Sequence, residues 1–308
     1  MEKSDKATSL SIVVPTKGRV ESLRRLLDSL CRVDGRDSID HEIIVANNAP
    51  DEPTARLVES LVHEYSRRGG ARFLQVREPT PGRWAAVNKA IPLTQGALIG
   101  FLDDDVAVTP CWLTTVMNFF REHPFDAMQG AVLLPPEMEN DPDFMLVHNR
   151  YRTMSLCRHG SKVVELKTLV SANMALKKEI LLRVGLFDER LGAGRSGLSG
   201  DVEFAHRMLR GGGRIGYEPA AVVHHEVDWT RLTEEYFRLR HEQQGRSRLI
   251  YKKNSVFTIV PNLLRSVLSY GWYSLFGTER KQYRAKGRCY HYMAMLREKT
   301  SKMTGAQQ

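Results

Sequence analysis

The chain has 308 residues, of which 42% are hydrophobic and 26% are charged, the composition of an ordinary soluble globular protein. Its sequence contains no uninterrupted apolar run of about 18 residues, so a transmembrane helix is not expected. The opening stretch, MEKSDKATSL, lacks the apolar segment of a secretory signal. The four cysteines are scattered without a CxxC pair, which argues against a zinc ribbon or disulfide framework and favours a cytoplasmic protein.

The net charge of +9 is unevenly distributed along the chain. Residues 229–308 contain 16 Lys or Arg against 5 Asp or Glu, which gives this part a net charge of +11. Residues 1–228 contain 29 against 31, a net charge of −2. The basic character of the protein therefore belongs to its C-terminal part.

Strand and helix patterns alternate through the first 110 residues. Short β-branched runs predict buried strands, and apolar residues at helical spacing predict the helices between them. In chain order the predicted elements are strand 10–15, helix 19–30, strand 41–46, helix 53–68, strand 71–76, helix 81–91 and strand 97–102. This alternation predicts an α/β fold with a mostly parallel sheet flanked by helices.

The pattern continues less regularly between residues 111 and 228. A helix that contains Trp112 is followed by a predicted strand, and residues 135–168 are expected to form an irregular loop or insertion because of their prolines. The remaining predicted elements are a strand passing into a helix over 171–191, a glycine-rich loop over 192–201, a helix over 202–212 and a strand over 215–227.

Polar residues follow three of the predicted strands. Ligands of parallel sheets bind beyond the carboxyl ends of the strands, so these residues are expected to share one crevice. They are Thr16, Lys17, Arg19, Asn47, Asn48, Asp103, Asp104 and Asp105. Because no GxGxxG or GxxxxGK[ST] follows any of these strands, neither a dinucleotide cofactor nor a P-loop nucleotide site is predicted.

The run Asp103, Asp104 and Asp105 directly follows the buried strand ALIGFL. Three adjacent carboxylates repel one another, and a carboxylate is costly to bury without a partner. A divalent cation would relieve this repulsion, because Mg²⁺ and Mn²⁺ bind carboxylate oxygens and bridge them to substrate phosphates. The alternative is a solvated acidic turn, and the position after a buried strand favours the cation site.

Two further groups carry candidate chemistry. Asp201 ends the glycine-rich loop and opens a predicted helix, so it could be a helix cap, a general base that deprotonates an acceptor hydroxyl, or both. His224 and His225 end the last predicted strand, at the same end of the sheet as the aspartates. One of these histidines could complete a metal site, whereas a single histidine is more often structural.

These residues together resemble family 2 glycosyltransferases of the GT-A fold. The resemblance depends on SIVVPTKGR, EIIVANNAPDEPT, PGRWAAVNKAI, LIGFLDDDV and the segment from SANMALKKEI to VVHHEV, which occur in the family's order over most of residues 9–228. It implies that Asp105 and His225 bind the metal and that Asp201 is the catalytic base. It also implies nucleotide-sugar contacts from Pro15, Thr16, Arg19, Asn47, Arg83, Asn88, Asp103 and Asp104.

The sequence departs from the family's pattern at two positions. Asn47 stands where the family usually has an aspartate that reads the nucleotide base, and an amide both donates and accepts hydrogen bonds. A base other than uracil could therefore be recognised. The family's Glu-Asp pair appears here as Gly200-Asp201, so the catalytic base is kept without its acidic neighbour.

The resemblance implies an inverting transfer of a sugar from a nucleoside-diphosphate sugar to a hydroxyl of a glycan or lipid-linked acceptor, with Mn²⁺ or Mg²⁺ as cofactor. Residues 1–228 are expected to form the catalytic domain, with a nucleotide-sugar half over about 9–110 and an acceptor half over about 111–228. Residues 229–308 are expected to form a basic helical extension.

The basic extension has three interpretations. Its helices could form a lid on the catalytic domain with solvated cations, or its aromatic and basic residues could attach a cytoplasmic enzyme to the anionic inner face of the membrane. Nucleic-acid binding is not expected, because no known motif supports it.

Two other functions compete with a glycosyltransferase. A non-catalytic module that binds nucleotides or sugars could keep the same fold, since fold alone does not prove activity. A sugar nucleotidyltransferase is disfavoured, because the glycine-rich opening that it needs is missing after LSIVVP.

Overall fold

A computed structural model describes residues 9–68 and 70–303. The chain separates into two compact units. The first unit takes the described residues up to Pro135 together with Ser155–Glu189 and Gly200–Glu226. The second unit takes Pro136–Met154, Arg190–Ser199 and the described residues from Val227 onward.

The first unit is built on one sheet, which has nine strands among the described residues. The strands are β1 (Leu10–Thr16), β2 (His41–Asn47), β3 (Arg72–Arg77), β4 (Leu98–Leu102), β5 (Val106–Val108), β6 (Ala127–Leu133), β7 (Val164–Leu166), β8 (Asn173–Lys177) and β9 (Ile215–His225). Their spatial order is β3-β2-β1-β4-β8-β6-β9-β5, and β7 also pairs with β9.

Six of these strands run in one direction. β1 pairs in parallel with β2 and β4, β2 pairs in parallel with β3, and β6 pairs in parallel with β9. β8 is antiparallel to both β4 and β6, which it joins, while β5 and β7 are antiparallel to β9. The predicted mostly parallel α/β sheet is therefore confirmed.

Helices cover the sheet because each carries one apolar face. In the first of them, four leucines at helical spacing, Leu23, Leu26, Leu27 and Leu30, are all buried. The helices of the first unit are α1 (Val20–Leu30), α2 (Glu52–Arg68), α3 (Arg83–Ala90), α4 (Trp112–Glu122), α7 (Glu179–Val184) and α8 (Gly200–Arg210). Those of the second unit are α5 (Pro136–Glu139), α6 (Pro142–Tyr151), α9 (Glu234–Tyr251), α10 (Val256–Phe276) and α11 (Glu279–Met303).

The structure corrects the expectation that residues 135–168 are irregular, because this stretch contains α5, α6 and β7. Pro136 and Pro142 each occupy the first position of a helix, where the missing N–H of proline costs no helical hydrogen bond. Asp141 caps α6 by accepting hydrogen bonds from the backbone N–H groups of Asp143 and Phe144. These prolines therefore begin helices rather than interrupt them.

The second unit contains the three long C-terminal helices. α10 runs through Pro261 without a break. Within the described part of the chain, no helix has both the length and the hydrophobicity that a membrane crossing requires.

Candidate active site

The three aspartates lie where β4 ends, next to the end of β1. Asp104 and Asp105 are almost fully buried, and the side chain of Asp103 is 18% exposed. Because β1 and β4 pair in parallel, Thr16 at the end of β1 reaches this cluster, and its hydroxyl donates a 2.6 Å hydrogen bond to Oδ2 of Asp104. The aspartate run is therefore a buried polar cluster rather than a solvated turn.

Arg19 forms ion pairs with two of the three aspartates. It precedes α1, and its Nη1 donates to Oδ2 of Asp105 at 2.6 Å while its Nη2 pairs with Oδ1 of Asp104. Burial alone would lower the pKa of Arg19, but the charges of Asp104 and Asp105 raise it overall. Burial also raises the pKa of Asp104 despite the opposing charge of Arg19, so this carboxylate would be stabilised by additional positive charge.

Arg83 is a second cation at the same edge of the sheet. It begins α3, and its Nη2 pairs with Oδ1 of Asp103. Burial would raise the pKa of Asp103, but the charge and hydrogen bond of Arg83, together with further positive charge that includes Arg19, lower it overall. The start of α3 is held next to the end of β2, because the N–H of Gly82 donates a 3.0 Å hydrogen bond to Oδ1 of Asn48, the residue that follows β2.

Asp103, Asp105 and His225 form a candidate metal centre. Each offers one ligand atom, and the three atoms lie within 4.8 Å of one another. The antiparallel pairing of β5 with β9 sets Val106 opposite His225, which brings the histidine beside Asp105 although 120 residues separate them in sequence. Sequence reasoning named both Asp105 and His225 but had no means of deriving this register.

The hydrogen bonding of His225 suits a metal ligand. Its Nδ1 lies 2.7 Å from the backbone oxygen of Glu226, and because a carbonyl oxygen only accepts, Nδ1 carries the proton. Nε2, the other ring nitrogen, lies 3.7 Å from Oδ1 of Asp105 and is the atom that would bind a metal. Two carboxylates and one imidazole are a donor set that accommodates Mn²⁺ or Mg²⁺.

Asp201 lies in the first turn of α8, inside the helix rather than at its cap. Its Oδ2 accepts a hydrogen bond from the N–H of Ser171 at 3.1 Å, and its Oδ1 accepts from the N–H of Val202 at 2.8 Å. Burial raises the pKa of Asp201, and the charge of Arg83 opposes this. The charge of Arg83 thus acts on both Asp103 and Asp201, so the candidate base and the aspartate cluster share one electrostatic environment.

Trp84 accounts for the glycine that replaces the family's glutamate. Its ring is stacked on Phe187 with centroids 4.1 Å apart, and it is 2% exposed. A Cβ atom added to Gly200 would lie only 1.9 Å from Nε1 of Trp84. The indole thus occupies the space that a side chain at position 200 needs. Sequence reasoning did not single out Trp84, because an aromatic residue at helical spacing most often indicates core packing.

The indole N–H of Trp84 is buried, and no acceptor within hydrogen-bond distance is found for it in the described part of the chain. Nε of Arg83, the preceding residue, is in the same state. Buried donors without acceptors are uncommon in folded proteins, and a bound ligand is one way in which such a donor is satisfied.

Three other residues that were expected to contact the nucleotide-sugar, Asn47, Asn88 and Pro15, are bonded to other parts of the protein in this structure. Asn47 is fully buried, and its amide is bonded to the backbone of Ala49 and Ala55 and to Gln75. Asn88 is bonded to the backbone of Phe187 and to Glu189. Pro15 lies inside β1, where it is paired with β2. In this structure the two amides therefore hold neighbouring loops in place.

A cavity of about 650 Å³ lies elsewhere in the first unit. It is lined by residues at the start of β4 and the end of β8, among them Leu98, Lys177 and Lys178. The aspartates follow the opposite end of β4, so this cavity contains none of them. Converging carboxylates, cations and the histidine identify the candidate site better than cavity size does.

A family model described as glycosyl transferase family 2 matches residues 11–182. The succinoglycan biosynthesis protein ExoM of Rhizobium meliloti is 29% identical over 247 residues, which are 79% of this chain and 76% of that protein. The glucosyl-dolichyl phosphate glucuronosyltransferase of Haloferax volcanii is 22% identical over 173 residues, 53% of each. The chain thus spans about three quarters of the first relative and about half of the second.

The fold is similar to that of solved glycosyltransferases. The mannosyltransferase PcManGT from Pyrobaculum calidifontis, solved with GDP-Man and Mn²⁺, superposes with a TM-score of 0.59 at 16% identity, over 96% of this chain and 88% of that one. GalNAc-T7, solved with UDP, GalNAc and Mn²⁺, has a TM-score of 0.55 at 13% identity, over 98% and 58% of the two chains. At these identities the likeness shows the fold alone. With the family model covering more than half of its residues, the chain belongs to glycosyl transferase family 2 and is a glycosyltransferase with a GT-A-like fold.

Proposed function

We propose that this glycosyltransferase is metal-dependent and inverting, and that it transfers a sugar from a nucleoside-diphosphate sugar to a hydroxyl of a glycan or lipid-linked acceptor. One observation carries the proposal: Asp103, Asp105 and His225 converge beside Arg19 and Arg83, whose charges suit a diphosphate. PcManGT and GalNAc-T7 were solved with a sugar nucleotide or nucleotide and with Mn²⁺, which supports the same donor class here.

Asp103, Asp105 and His225 would hold Mn²⁺ or Mg²⁺. Bound there, the cation supplies Lewis-acid stabilisation of the departing nucleoside diphosphate. Arg19 and Arg83 would add hydrogen-bond donors to the phosphates, and Asp104 with Thr16 would hold Arg19 in position. A phosphate would compete with Asp104 and Asp105 for the guanidinium of Arg19.

Asp201 would take the proton from the acceptor hydroxyl as its oxygen attacks the anomeric carbon. The bond from that carbon to the diphosphate breaks in the same displacement, so the configuration at the anomeric carbon inverts. The backbone N–H groups of Ser171 and Val202 fix the orientation of the carboxylate. Burial raises its pKa, which makes it a stronger base than an exposed aspartate.

We also propose the domain bounds, the cellular location, three further residues of the nucleotide site and the absence of a nucleic-acid partner. Residues 1–228 are the catalytic domain, with the donor half over about 9–110, and residues 229–308 are an extension. The enzyme is cytoplasmic, and its basic C-terminal segment attaches to an anionic membrane surface. Pro15, Asn47 and Asn88 shape the nucleotide site, the two asparagines through the loops that they hold. Nucleic acid is not a partner.

A donor screen with matched variants tests the function. UDP-, GDP- and dTDP-sugars are added with Mn²⁺ or with a chelator, while melting temperature and nucleoside diphosphate release are measured. Wild type should show both a donor shift and turnover with Mn²⁺. Asp105→Asn should lose both, and Asp201→Asn should keep the shift and lose turnover by about a thousandfold.

Asp51→Asn, an exposed aspartate on the loop before α2, is the control and should behave as wild type. A wild-type donor shift without turnover on any acceptor would instead identify a non-catalytic binding module. Retention of the substrate's anomeric configuration in the product would overturn the inverting mechanism.

A further inference from the structure

Helix α10 presents a row of large apolar side chains to solvent. Phe257 is 91% exposed, Leu268 is 74% exposed and Leu275 is 78% exposed. Single exposed leucines are common on protein surfaces, whereas a contiguous row of this kind marks an interaction site. We call this row the α10 stripe, and its members are Phe257, Leu264, Leu268, Trp272, Leu275 and Phe276.

The spacing of the stripe follows one face of the helix. Its members are separated by seven, four, four and three residues from Phe257 to Leu275, which at 3.6 residues per turn keeps them on one side. Ile259 and Ser266, on other faces of α10, are buried, and α11 packs against this helix. The helix therefore buries one side within its own unit, and the residues that the structure describes leave the apolar stripe uncovered.

The stripe is bordered by positive charge. Residues 252–278 contain Lys252, Lys253 and Arg265 and no aspartate or glutamate. Arg280 and Lys281 follow and are exposed, and Glu279 before them is bonded to Arg150 at 2.7 Å. Cations thus lie at both ends of the stripe and within it.

We infer that the α10 stripe is seated in the interface of an anionic lipid bilayer, with the helix axis parallel to the membrane plane. The stripe extends over about 28 Å, at about 1.5 Å for each residue from 257 to 276. Interfacial helices have such an apolar face with aromatic residues and with Lys or Arg for the anionic headgroups. α10 lacks the hydrophobicity to cross the bilayer, in keeping with a helix that lies on it.

A second copy of the chain fits the stripe less well. Pairing two stripes would bring the cations of one copy against those of the other, without an acidic residue between 252 and 278 to neutralise them. A bilayer with anionic headgroups provides both the apolar layer and the opposite charge. The inference also assigns membrane contact to the apolar face of α10 rather than to the dense basic cluster at residues 280–288.

The inference deepens the proposed function, because a lipid-linked acceptor would be presented at the same surface. Docking of α10 on a membrane does not require sugar transfer, so the docking inference and the proposed function can be contradicted independently. The test is co-sedimentation with vesicles of phosphatidylglycerol and phosphatidylcholine, compared with pure phosphatidylcholine, at low and physiological salt. Wild type should bind the anionic vesicles.

The variant Leu264→Gln/Leu268→Gln/Trp272→Gln should reduce the partition coefficient by at least about tenfold, since each change removes a large apolar group from the interface. Leu57→Gln on α2 is the matched control, because Leu57 is 58% exposed and Leu264 is 59% exposed. Release of nucleoside diphosphate with a water-soluble acceptor should be unchanged in both variants, which separates docking from catalysis.

Tryptophan quenching by brominated lipids provides an independent reading. Quenching should be strong in wild type and should fall in Trp272→Phe, which keeps the apolar surface and so keeps binding. Equal vesicle binding by wild type and the triple variant would overturn the inference. So would a failure of wild type to bind anionic vesicles at low salt, or a wild-type dimer that the triple variant converts to monomer without any lipid effect.

Discussion

Nη1 of Arg19 lies 2.6 Å from Oδ2 of Asp105, so the proposed metal ligand is held by a cation of the protein itself. Nη2 of the same guanidinium pairs with Asp104. A divalent cation at Asp105 and the guanidinium of Arg19 would compete for one carboxylate, and a diphosphate would accept the guanidinium as the metal binds. Arg19 would therefore link occupation of the proposed metal site to occupation of the proposed donor site.

Arg19→Ala should bind Mn²⁺ more tightly in the absence of donor and bind the donor more weakly in its presence. We expect changes of about tenfold in each direction, about 1.4 kcal/mol, because one competing positive charge is removed from the metal site and one donor from the phosphates. Titration calorimetry with Mn²⁺ alone, and then with the donor, measures both. Arg24→Ala, which removes the ion pair of this α1 residue with Glu64 at 3.1 Å rather than a contact with the aspartates, is the control. Equal or weaker Mn²⁺ binding by Arg19→Ala would exclude the competition.

The pH dependence of transfer should report Asp201. A base must be ionised to accept a proton, and burial raises the pKa of Asp201 above the ordinary value of about 3.9 for aspartate. As pH falls through this raised pKa, kcat/KM should fall, so the acid limb of the profile should lie above about pH 3.9. The profile is measured at saturating Mn²⁺, and the limb should be absent from the residual activity of Asp201→Asn. An identical limb in that variant would assign it to another group.

Gly200→Ala should destabilise the first unit by about 1 to 3 kcal/mol, because the added methyl group would overlap Nε1 of Trp84 at 1.9 Å. Gly100→Ala is the control in the same unit, since a Cβ there meets its nearest neighbour, Trp112, at an ordinary 3.5 Å. Unfolding in urea measures both. Trp84→Leu should recover part of the loss when combined with Gly200→Ala, and additive effects of the two changes would argue against this contact.

The second unit, which contains α9 and α11, should lose stability in mild acid. Burial lowers the pKa of His241 and of His291 to about 4 each, and the charges of Arg240 and Arg248 contribute. Both rings are neutral in the folded state and take up protons in the unfolded state below about pH 6.5. Each histidine should therefore lower the free energy of unfolding by roughly 1 kcal/mol per pH unit as pH falls from about 6.5 towards 4.

Urea unfolding at pH 7 and pH 5 measures this loss. In His241→Leu/His291→Leu, which has no imidazole to protonate at these positions, the dependence on pH should be shallower. Parallel curves for wild type and the double variant would show that other groups account for the acid sensitivity.

The strands and most helices of the first unit were predictable, because β-branched runs and helical leucine spacing are local signals. The aspartate run was recognisable as a candidate site from another local signal, since three adjacent acids directly after a buried strand are unusual. The three-residue strand β5 was not, because Val106–Val108 is held by pairing with β9 more than a hundred residues later. Local composition also misled at Pro136 and Pro142, which start helices.

Within the site, the chemistry of each side chain was predictable but its partner was not. The pairings of Arg19 with Asp104 and Asp105, and of Arg83 with Asp103, depend on how loops after different strands meet. Ser171 acts through its backbone N–H, so its side chain gave no signal. The contact of Trp84 with Gly200 was not predictable from sequence, because these two residues are far apart along the chain and meet only in the tertiary structure.

The three-residue pairing of β5 with β9 has a consequence for biosynthesis. This pairing brings Asp105 and His225 together, so the chain must be synthesised beyond residue 225 before the proposed metal centre can assemble. Contacts across so long a stretch of sequence form slowly, because a large loop must be closed first. On the ribosome, strands β1 to β4 can pair while the centre is still incomplete. The ability to bind the metal would then be acquired late, and it would indicate that β5 and β9 have paired.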